Sequence, residues 1–322
     1  MDTKPAYAAP AMVDIGKRTD NDPPVFEPVY LYKLTQSFIT SFGYIIHNFR
    51  VFKPAVSYRH RNTISIKNII SFLFFKKKIL INQPALSISH GWYDSYYHFT
   101  LECLPKLFVL KEFISSSILV FPKNIQPFHQ KWFELLGVTN ILYIDDNEIV
   151  KTPLAITSSF AARDLNHHNI ILPEFASWVL SKIQNLDSIK FKKIFIGRKN
   201  PMHRKLLNNE EVKTFLSSSG FEYIEMENYS VSEQVKIFHN AEQIICVHGA
   251  ALTNLSFSKP GTKVIDLMHK DFKQWCFLKL AIIQKLNYEI LECEGEGEHP
   301  LPGYKDIIVD VQILKSTIVK WN

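Results

Sequence analysis

Cysteine is scarce in this chain, and the placement of the few cysteines excludes several kinds of site. The 322 residues include only Cys103, Cys246, Cys276 and Cys293, which lie far apart in apolar surroundings. Because no CxxC pair and no zinc-type spacing occurs, the pattern is typical of reduced, buried thiols in a cytosolic protein. We therefore predict a cytoplasmic protein with no disulfide framework and no metal site built on cysteine.

Long hydrophobic runs are absent as well. The most apolar stretch, Ile69 to Phe75, is far shorter than the roughly 20 residues that a membrane-spanning helix needs. Residues 1–30 are rich in Pro, Ala and charged residues and contain no apolar core segment, so they predict a flexible tail and not a signal peptide. These absences favour a soluble or peripheral protein.

Several nucleotide-binding and hydrolase motifs are missing. The chain has no GxxxxGKS or GxxxxGKT and no GxSxG, and Gly295 with Gly297 does not complete a GxGxxG between a strand and a helix. A DxD pattern, Asp20 with Asp22, lies in the tail with no strand before it, and we interpret it as a chance match. Phosphate-loop kinases and serine hydrolases are therefore poor candidates.

Basic residues are concentrated in two segments, although the net charge is only +6. Residues 50–78 contain eight Lys or Arg and no acid, and residues 190–205 contain seven more and no acid. Such segments attract anionic partners. A nucleic-acid-binding module is one interpretation of the first segment, but no recognition motif or ordered set of stacking aromatics supports it.

The first basic segment leaves another alternative open. Ile69 to Phe75, followed by three lysines, has the composition of a surface that lies on anionic lipid at the inner face of a membrane. The other interpretation is a core strand with a solvated, charged end. We predict the core strand and keep peripheral membrane contact as the alternative.

Alternating strand and helix patterns predict an α/β fold with a parallel sheet in each half. In the second half the expected strands are 194–197, 221–225, 244–247, 263–268 and 288–293. The pattern indicates two Rossmann-like halves. We predict an N-terminal domain over 31–172, a C-terminal domain over 173–296 that begins with a helix, and a segment 297–322 that packs back on the first half.

The stretch that follows the strand Ile244 to Val247 predicts an anion site. Gly249 permits a sharp turn and a close approach of the backbone to a ligand. Ala250 and Ala251 then present the first amides of a short helix, whose N-terminus favours a phosphate. His248 lies at the edge of this turn, and Asp266 lies near the carboxyl end of the next strand, where ligands bind in open α/β sheets.

Two arginines follow the carboxyl end of another strand, 194–197. Arg198 and Arg204 are six residues apart and can converge on one diphosphate, because guanidinium groups present forked donors that match phosphate oxygens. A solvated basic loop is the alternative. The glycine turn at the same sheet edge favours the diphosphate site.

The first half offers a second candidate site in the segment HGWYDSYYHFTLECLP, residues 90–105. His98 and Glu102 are four apart and share one face of a helix predicted over 96–113, which Pro105 must kink or begin afresh. One of the two can act as a base while the other orients it or binds substrate. A merely solvated polar face is the alternative, and the neighbouring tyrosines and tryptophan favour a site.

Four segments in a fixed order resemble the family-61 glycosyltransferases. They are YYHFTLECLPKL (96–107), IGRKNPMHRKLLNNEEV (196–212), GFEYIEMENYSVSEQVKIFHNAE (220–242) and HGAALTNLSFSKPGTKVIDL (248–267). Together they span about half of the chain, roughly residues 90 to 110 and 190 to 270. The first 85 residues have no clear counterpart in the family.

The resemblance implies a GT-B fold, in which two Rossmann-like domains face each other across a cleft. It also implies inverting transfer of a sugar from a nucleotide sugar, commonly a UDP-sugar, to a hydroxyl of a glycan or lipid-linked glycan, as in capsule-type or lipopolysaccharide-type biosynthesis. By position, Arg198, Arg204 and the turn from His248 to Asn254 would bind the nucleotide diphosphate. The family often carries Glu where this chain has Asp266, near the expected ribose.

The resemblance also divides the catalytic roles. Glu102 or His98 would face the acceptor, and we predict Glu102 as the base because a carboxylate is ionised at neutral pH. In the absence of a convincing DxD, the arginines and the helix N-terminus can stabilise the leaving diphosphate, so no essential metal ion or other cofactor is expected. Another transfer to polysaccharide on a similar scaffold, such as pyruvyl transfer, is the rival prediction.

Overall fold

The computed structural model describes residues 4–7, 28–56, 70, 72, 74–163, 165–199, 201–272 and 274–321. The chain divides into two compact units, Met1–Lys182 and Ile183–Asn322. Each unit contains its own β-sheet with helices, so the α/β class is confirmed. The helix that was expected to open the second domain, Ile171–Ser181, belongs to the first unit.

The first unit is built on one large sheet. Its strands are β1 (Lys4–Tyr7), β2 (Val29–Thr40), β3 (Ile45–His47), β4 (Arg50–Val51), β5 (Lys77–Leu80), β6 (Ala85–Ser87), β7 (Ile118–Pro122), β8 (Ile141–Ile144) and β9 (Glu148–Ser158), with a small hairpin of β10 (Ala162–Arg163) and β11 (Asn166–His167). Its helices are α1 (Tyr96–His98), a π-helix (Phe99–Cys103), α2 (Leu104–Val109), α3 (Pro127–Leu136) and α4 (Ile171–Ser181), with single 3₁₀ turns at Lys53–Ala55 and Lys111–Phe113.

The sheet of the first unit is mixed rather than uniformly parallel. Its strand order is β4-β3-β2-β9-β6-β7-β8, with β1 paired to β2 and β5 paired to β9. The neighbours β9, β6, β7 and β8 run parallel, whereas β2 runs antiparallel to β9 and to β3. The predicted Rossmann-like alternation is therefore confined to the part from β6 to β8. Apolar side chains from both parts, including Leu34, Ile39, Val120 and Val150, form the core.

Strand β9 continues through a proline. Residues 153–158 complete β9, which pairs with β2 along most of its length. Proline donates no backbone hydrogen bond and usually argues against a central strand. Here the ladder is interrupted at Pro153, and Gln36 on the facing strand has a positive φ of 45°. In the predicted tail, Lys4–Tyr7 forms β1; Asp20 and Asp22 lie outside the described residues.

The second unit carries the cleaner parallel sheet. Its strands are β12 (Lys193–Gly197), β13 (Glu222–Glu225), β14 (Gln243–Val247), β15 (Lys263–His269), β16 (Asn287–Glu296) and β17 (Asp306–Ile308). Its helices are α5 (Asn209–Ser218), α6 (Val231–Asn240), α7 (Cys276–Ile283) and α8 (Val311–Val319), with 3₁₀ segments at Leu186–Ser188, Met226–Asn228, Ala250–Phe257 and Pro302–Tyr304. The predicted strands and the predicted short helix after Gly249 are confirmed to within a few residues.

Strand order in the second unit is β13-β12-β14-β15-β16-β17, and only β17 is antiparallel. Helix α6 begins with a capping box, in which Ser230 and Glu233 bond to each other's backbone amides. Leu314 of α8 packs into the core of this same unit with Phe195, Leu216 and Ile265. The C-terminal segment, which was expected to pack back on the first half, thus contributes to the second unit.

No helix in the described residues is both long and apolar enough to cross a membrane.

Candidate functional site

The sheet of the second unit provides a binding crevice at the carboxyl ends of β12 and β14. These strands are adjacent and parallel, and the chain leaves β12 toward β13 on one side and β14 toward β15 on the other. Ligands of open α/β sheets bind where the strand order reverses in this way. Arg198 directly follows β12, and His248 with Gly249 directly follows β14. The predicted anion-binding residues therefore lie at the switch point of the sheet.

Arg198 is held beside the glycine turn. Its Nη1 donates a hydrogen bond of 2.8 Å to the carbonyl oxygen of His203, which fixes the guanidinium over the crevice. A Cβ built at Gly249 would lie 3.5 Å from Arg198 Nε. A side chain at residue 249 would thus occupy the space next to the guanidinium, so glycine keeps that space open.

Arg204 lies in the loop that crosses the same edge of the sheet. Its backbone is in the left-handed region, with φ of 57°, and its amide donates to Tyr304 O at 3.3 Å. The guanidinium carbon lies 4.8 Å from the ring centre of Phe272 and 5.3 Å from that of Tyr304. Arg204 Nε is buried without a hydrogen-bonding partner among the described residues. The side chain is therefore positioned by two aromatic rings and keeps a donor unused.

Neither arginine forms an ion pair with a carboxylate in the described part of the chain. Burial lowers the pKa of both, and for Arg204 the nearby charge of Arg198 lowers the pKa further. Two partly buried cations that repel each other are costly unless an anion accompanies them. The arrangement therefore suits a ligand with more than one negative charge, such as a diphosphate.

His248 is oriented by a buried network that the sequence did not predict. His248 Nδ1 lies 2.7 Å from Asp266 Oδ2, and the hydroxyl of Tyr288 donates to the same oxygen at 2.5 Å. His248 and Asp266 are buried, with Asp266 only 1% exposed, and Tyr288 is half-buried. Burial, with the adjacent Asp266 charge, raises the pKa of Tyr288 well above its usual value, so its hydroxyl stays a donor. Asp266 thus holds the imidazole of His248 in place.

The remaining predicted residues of the turn differ in accessibility. Ala250 is exposed and Ala251 half-buried at the start of the 3₁₀ segment, which places their amides at the crevice. Asn254, in contrast, is fully buried, and its Nδ2 donates to Gln234 Oε1 of α6 at 3.2 Å. The structure thus brings Arg198, Arg204, His248, Gly249, Ala250 and Ala251 to one sheet edge. Asn254 does not reach that edge, and its hydrogen bond to Gln234 fixes the turn to α6.

In the first unit, Glu102 lies between two histidines. His98 Nδ1 is 3.1 Å from Glu102 Oε1, and His90 Nε2 is 3.1 Å from Glu102 Oε2. Glu102 belongs to the π-helix, and Pro105 occupies the first turn of α2, so the predicted break in the helix is confirmed. Single π-turns inside helices occur frequently at functional sites. The sequence predicted the pairing of His98 with Glu102 but missed His90, which lies in the same quoted segment.

The two histidines determine the ionisation of Glu102. Burial alone raises the pKa of this carboxyl, but the adjacent imidazoles of His90 and His98 outweigh burial and hold the pKa well below its usual range. The two imidazoles therefore favour the anionic form of Glu102, and an anion stabilised in this way accepts a proton poorly. His98 is the more exposed partner, and its ring lies against Trp92 with centroids 4.9 Å apart.

The same three residues have the chemistry of a metal site. One ligand atom each from His90, His98 and Glu102 lies within 4.8 Å of the other two. Two imidazoles and a carboxylate are ligands that zinc accepts in catalytic sites. The cluster can thus serve either as a proton-transfer site or as a cation site, and chelation distinguishes the two.

A separate cavity of about 430 Å³ opens at the carboxyl ends of β7 and β8. Tyr93, Lys123, Asp145, Asp146 and Asn147 are among its lining residues. None of the predicted site residues lines it. Asp145 and Asp146 thus lie in a polar depression of the first unit.

Relatives with described activities match short parts of this chain. The chain is 29% identical over 112 residues to an EGF domain-specific O-linked N-acetylglucosamine transferase of Gallus gallus, a match that covers 31% of this chain and 21% of the relative. The Pan troglodytes protein of the same name is 31% identical over 123 residues, covering 34% and 23%, respectively. The chain thus spans about a fifth of the length of these curated relatives.

One solved structure, a mutant flavo di-iron protein from Thermotoga maritima, aligns with 94% of this chain and 96% of its own at 11% identity. Its TM-score of 0.29 is too low for any inference about fold or function.

Residues 96–265, more than half of the chain, match the family Glycosyltransferase 61. This segment contains His98 and Glu102, both arginines and the glycine turn. The chain belongs to the Glycosyltransferase 61 family.

Proposed function

We propose that this protein transfers a sugar from a nucleotide-sugar donor to a hydroxyl group of a glycan or lipid-linked glycan. The observation that carries the proposal is the pair Arg198 and Arg204 at the switch point of the second unit, which are partly buried and form no ion pair with a carboxylate among the described residues. A nucleoside diphosphate supplies the missing negative charge. Membership of the family, and the N-acetylglucosamine transferases among the relatives, supports a sugar as the transferred group.

The second unit would act on the leaving group. As the bond from the anomeric carbon to the phosphate oxygen breaks, negative charge grows on the diphosphate and must be stabilised. Arg198, Arg204 and the amides of Ala250 and Ala251 supply fixed positive charge and dipoles there. With Nδ1 of His248 committed to Asp266, Nε2 is the ring nitrogen that remains for a phosphate oxygen. A histidine held in this way donates a proton or a hydrogen bond to the departing diphosphate.

The first unit would act on the acceptor. A base removes the proton of the acceptor hydroxyl while its oxygen attacks the anomeric carbon, which inverts the configuration. Glu102 was the base predicted from sequence. From the geometry we propose His98 instead, because Glu102 is stabilised as an anion between two imidazoles and His98 is more exposed. Glu102 then orients His98 and stabilises the imidazolium that forms, as carboxylates do in other histidine pairs.

The finer parts of the proposal follow from the family resemblance. UDP is the proposed nucleotide, and a polysaccharide of capsule or lipopolysaccharide type is the proposed context. No divalent ion is needed when arginines neutralise the diphosphate, so we propose transfer without an essential metal. A GT-B arrangement, with the two units facing each other across a cleft, remains part of the proposal, and small-angle scattering with and without nucleotide would test it.

Calorimetry with nucleotides and pyrophosphate tests the central claim. Wild-type protein should bind UDP and, more weakly, pyrophosphate. Arg198→Ala and Arg204→Ala should each weaken both by roughly 10- to 100-fold, because each removes a charge-assisted hydrogen bond worth about 1.5–3 kcal/mol. Lys205→Ala, an exposed cation in the same loop, is the matched control and should change little.

The donor screen separates glycosyl transfer from pyruvyl transfer. Thermal shifts are measured with UDP, GDP, CMP and phosphoenolpyruvate, and hydrolysis or transfer is followed with the sugar nucleotide that shifts most. A shift with a nucleoside diphosphate that is lost in both arginine variants supports the proposal. Stabilisation by phosphoenolpyruvate alone would overturn it in favour of pyruvyl transfer.

A further inference from the structure

The first unit exposes an unusual amount of aromatic surface on one part of its sheet. Phe49, Phe74, Phe75 and Leu80 are 79%, 74%, 81% and 70% exposed. The three phenylalanines are the most exposed phenylalanines of the described chain. Single exposed apolar residues are ordinary, but several large ones together mark an interaction site. These four residues are called the aromatic surface below.

Strand register places Leu80 on the outer face of the sheet, and Phe72 ties the segment of Phe74 and Phe75 to the same face. Leu80 of β5 pairs with Lys151 of β9, Lys151 pairs with Phe38 of β2, and Phe38 pairs with Ile46 of β3. Directly paired residues present their side chains to the same face of a sheet. On that face Phe72 packs against Phe38, Ile46, Val51 and Ile149. Phe72 therefore anchors its segment to the sheet, while its neighbours Phe74 and Phe75 stay in solvent.

Phe49 lies at the tip of the hairpin between β3 and β4. Asn48 and Phe49 both have positive φ, 48° and 59°, in a two-residue turn where Asn and Gly are favoured. A bulky residue in the left-handed region costs on the order of 1–2 kcal/mol. At 79% exposure Phe49 gains almost no packing in return. A strained and solvent-exposed phenylalanine is explained by a contact made outside the chain.

Positive charge borders the aromatic surface. Arg50 and Lys53 adjoin Phe49 and are exposed, and Lys77 and Lys78 follow Phe75 and are exposed. Lys76 lies over the ring of Phe72, with its Nζ 4.5 Å from the ring centre. The nearby acid Glu148 is paired with Lys77 at 3.0 Å. Among the described residues, Arg50, Lys53 and Lys78 thus add exposed positive charge that no ion pair offsets.

We propose that the aromatic surface and its lysines dock the protein on an anionic lipid bilayer. Aromatic side chains enter the interfacial region of a bilayer, and each basic residue near an anionic membrane adds about 1 kcal/mol. Exposed phenylalanine beside Arg50, Lys53 and Lys78, which form no ion pair among the described residues, fits this partner better than an apolar protein surface, which would leave those charges without partners. The prediction of a core strand over Ile69 to Phe75 is wrong for the described residues, because Ile70, Phe72 and Phe74 are helical and Phe74 and Phe75 are exposed. The proposal is independent of sugar transfer.

Flotation of the purified full chain with vesicles tests this proposal. Vesicles of phosphatidylcholine alone are compared with vesicles that contain phosphatidylglycerol at about one part in four. Wild-type protein should float with the anionic vesicles, should release at high salt, and should float poorly with the neutral ones. Phe74→Ser with Phe75→Ser, and separately Lys77→Gln with Lys78→Gln, should each reduce bound protein at least about tenfold.

Two further variants keep the test informative about folding. Phe49→Gly should also reduce flotation, and it should not lower the melting temperature, because glycine relieves the strained backbone. Ile313→Ser, at an exposed apolar residue of α8 in the second unit, is the matched control and should float like wild type. Three results would overturn the proposal. All variants could float equally, or wild-type protein could fail to float. Sedimentation could instead show a dimer that the Phe74 and Phe75 substitutions dissociate. UDP binding is measured on the same variants. If it is unchanged, a negative flotation result counts against membrane docking and not against sugar transfer.

Discussion

Asp266 lies on β15, His248 directly follows the neighbouring strand β14, and a contact of 2.7 Å joins Asp266 Oδ2 to His248 Nδ1. Asp266 was predicted to lie near a ribose, but the carboxylate is buried and already engaged by His248 and Tyr288. A residue in this position acts on a ligand through the histidine that it orients. We therefore expect substitutions at Asp266 to change kcat more than they change the dissociation constant for UDP.

Asp266→Asn is expected to lower kcat about 10²-fold while the dissociation constant for UDP changes less than threefold. The amide keeps the shape of the side chain but can donate to Nδ1, which favours the wrong tautomer of His248. Tyr288→Phe removes only one donor to Asp266 and should lower kcat by less than tenfold. Steady-state kinetics and calorimetry on the same preparations measure both quantities.

Asp266→Glu, which places the longer carboxylate common in the family, is the control for the Asp266 prediction. It should retain more activity than Asp266→Asn. If Asp266→Asn weakens UDP binding tenfold or more and leaves kcat intact, the carboxylate contacts the ligand directly and the ribose assignment stands. In a double-mutant cycle of Asp266→Asn with His248→Ala, the two effects on kcat should be strongly non-additive, because both changes disable the same imidazole.

Chemical rescue distinguishes the roles of His98 and Glu102. His98→Gly should lose turnover by 10²-fold or more, as expected when a general base is removed, and added imidazole should restore part of it. Glu102→Gln should lose a comparable factor, without recovery in imidazole, because the histidine is present but no longer oriented. UDP binding should stay near the wild-type value in both variants. Rescue of a Glu102→Gly variant by formate, with no rescue of His98→Gly, would instead make Glu102 the base.

Chelation decides whether the His90, His98 and Glu102 cluster needs a cation. After dialysis against EDTA and then phenanthroline, turnover is expected to remain within twofold of the untreated enzyme, because the arginines neutralise the diphosphate. Metal analysis of the dialysed protein accompanies the assay. A loss of activity that Zn²⁺ or Mn²⁺ restores, and that His90→Ala abolishes permanently, would reassign the cluster as a metal site.

Much of the second unit could be predicted from sequence because its signals are local. Each buried parallel strand is a short apolar run, and Gly220 and Gly261 mark turns with positive φ. The site residues Arg198 and His248 directly follow such strands, so their convergence follows from the geometry of a parallel sheet. Tyr288 could not be found in this way, since it reaches Asp266 from the adjacent strand β16 through a side-chain contact.

The first unit was harder to predict for physical reasons. Strand β2 pairs with β9 across more than a hundred residues, and Pro153 within β9 is a local signal against a strand. Long-range pairing outweighed that signal. The placement of His90 beside Glu102 likewise depends on a loop that returns to the helix, whereas the spacing of His98 and Glu102 is fixed within one turn of helix.

Lys106 gives the protein a pH-dependent stability that can be measured without any substrate. Its side chain is fully buried, with Nζ 4.2 Å from the ring centre of Phe160 and 3.5 Å from Ala55 O. Burial lowers the pKa of Lys106 to about 7, against an ordinary value near 10.4 in an unfolded chain. Between these values the unfolded state binds the extra proton, so the free energy of unfolding rises with pH, by at most about 1.4 kcal/mol per pH unit.

Lys106→Met should remove this slope and stabilise the protein more at pH 7 than at pH 10, because the cost of burying the charge is fully present below pH 7 and disappears as the pH approaches 10. Urea unfolding at pH 7, 8, 9 and 10 measures the effect. Lys111→Met, at an exposed lysine one turn further on, should leave the slope of wild type unchanged. Parallel curves for wild type and Lys106→Met would show that the buried amine is already compensated in the folded state.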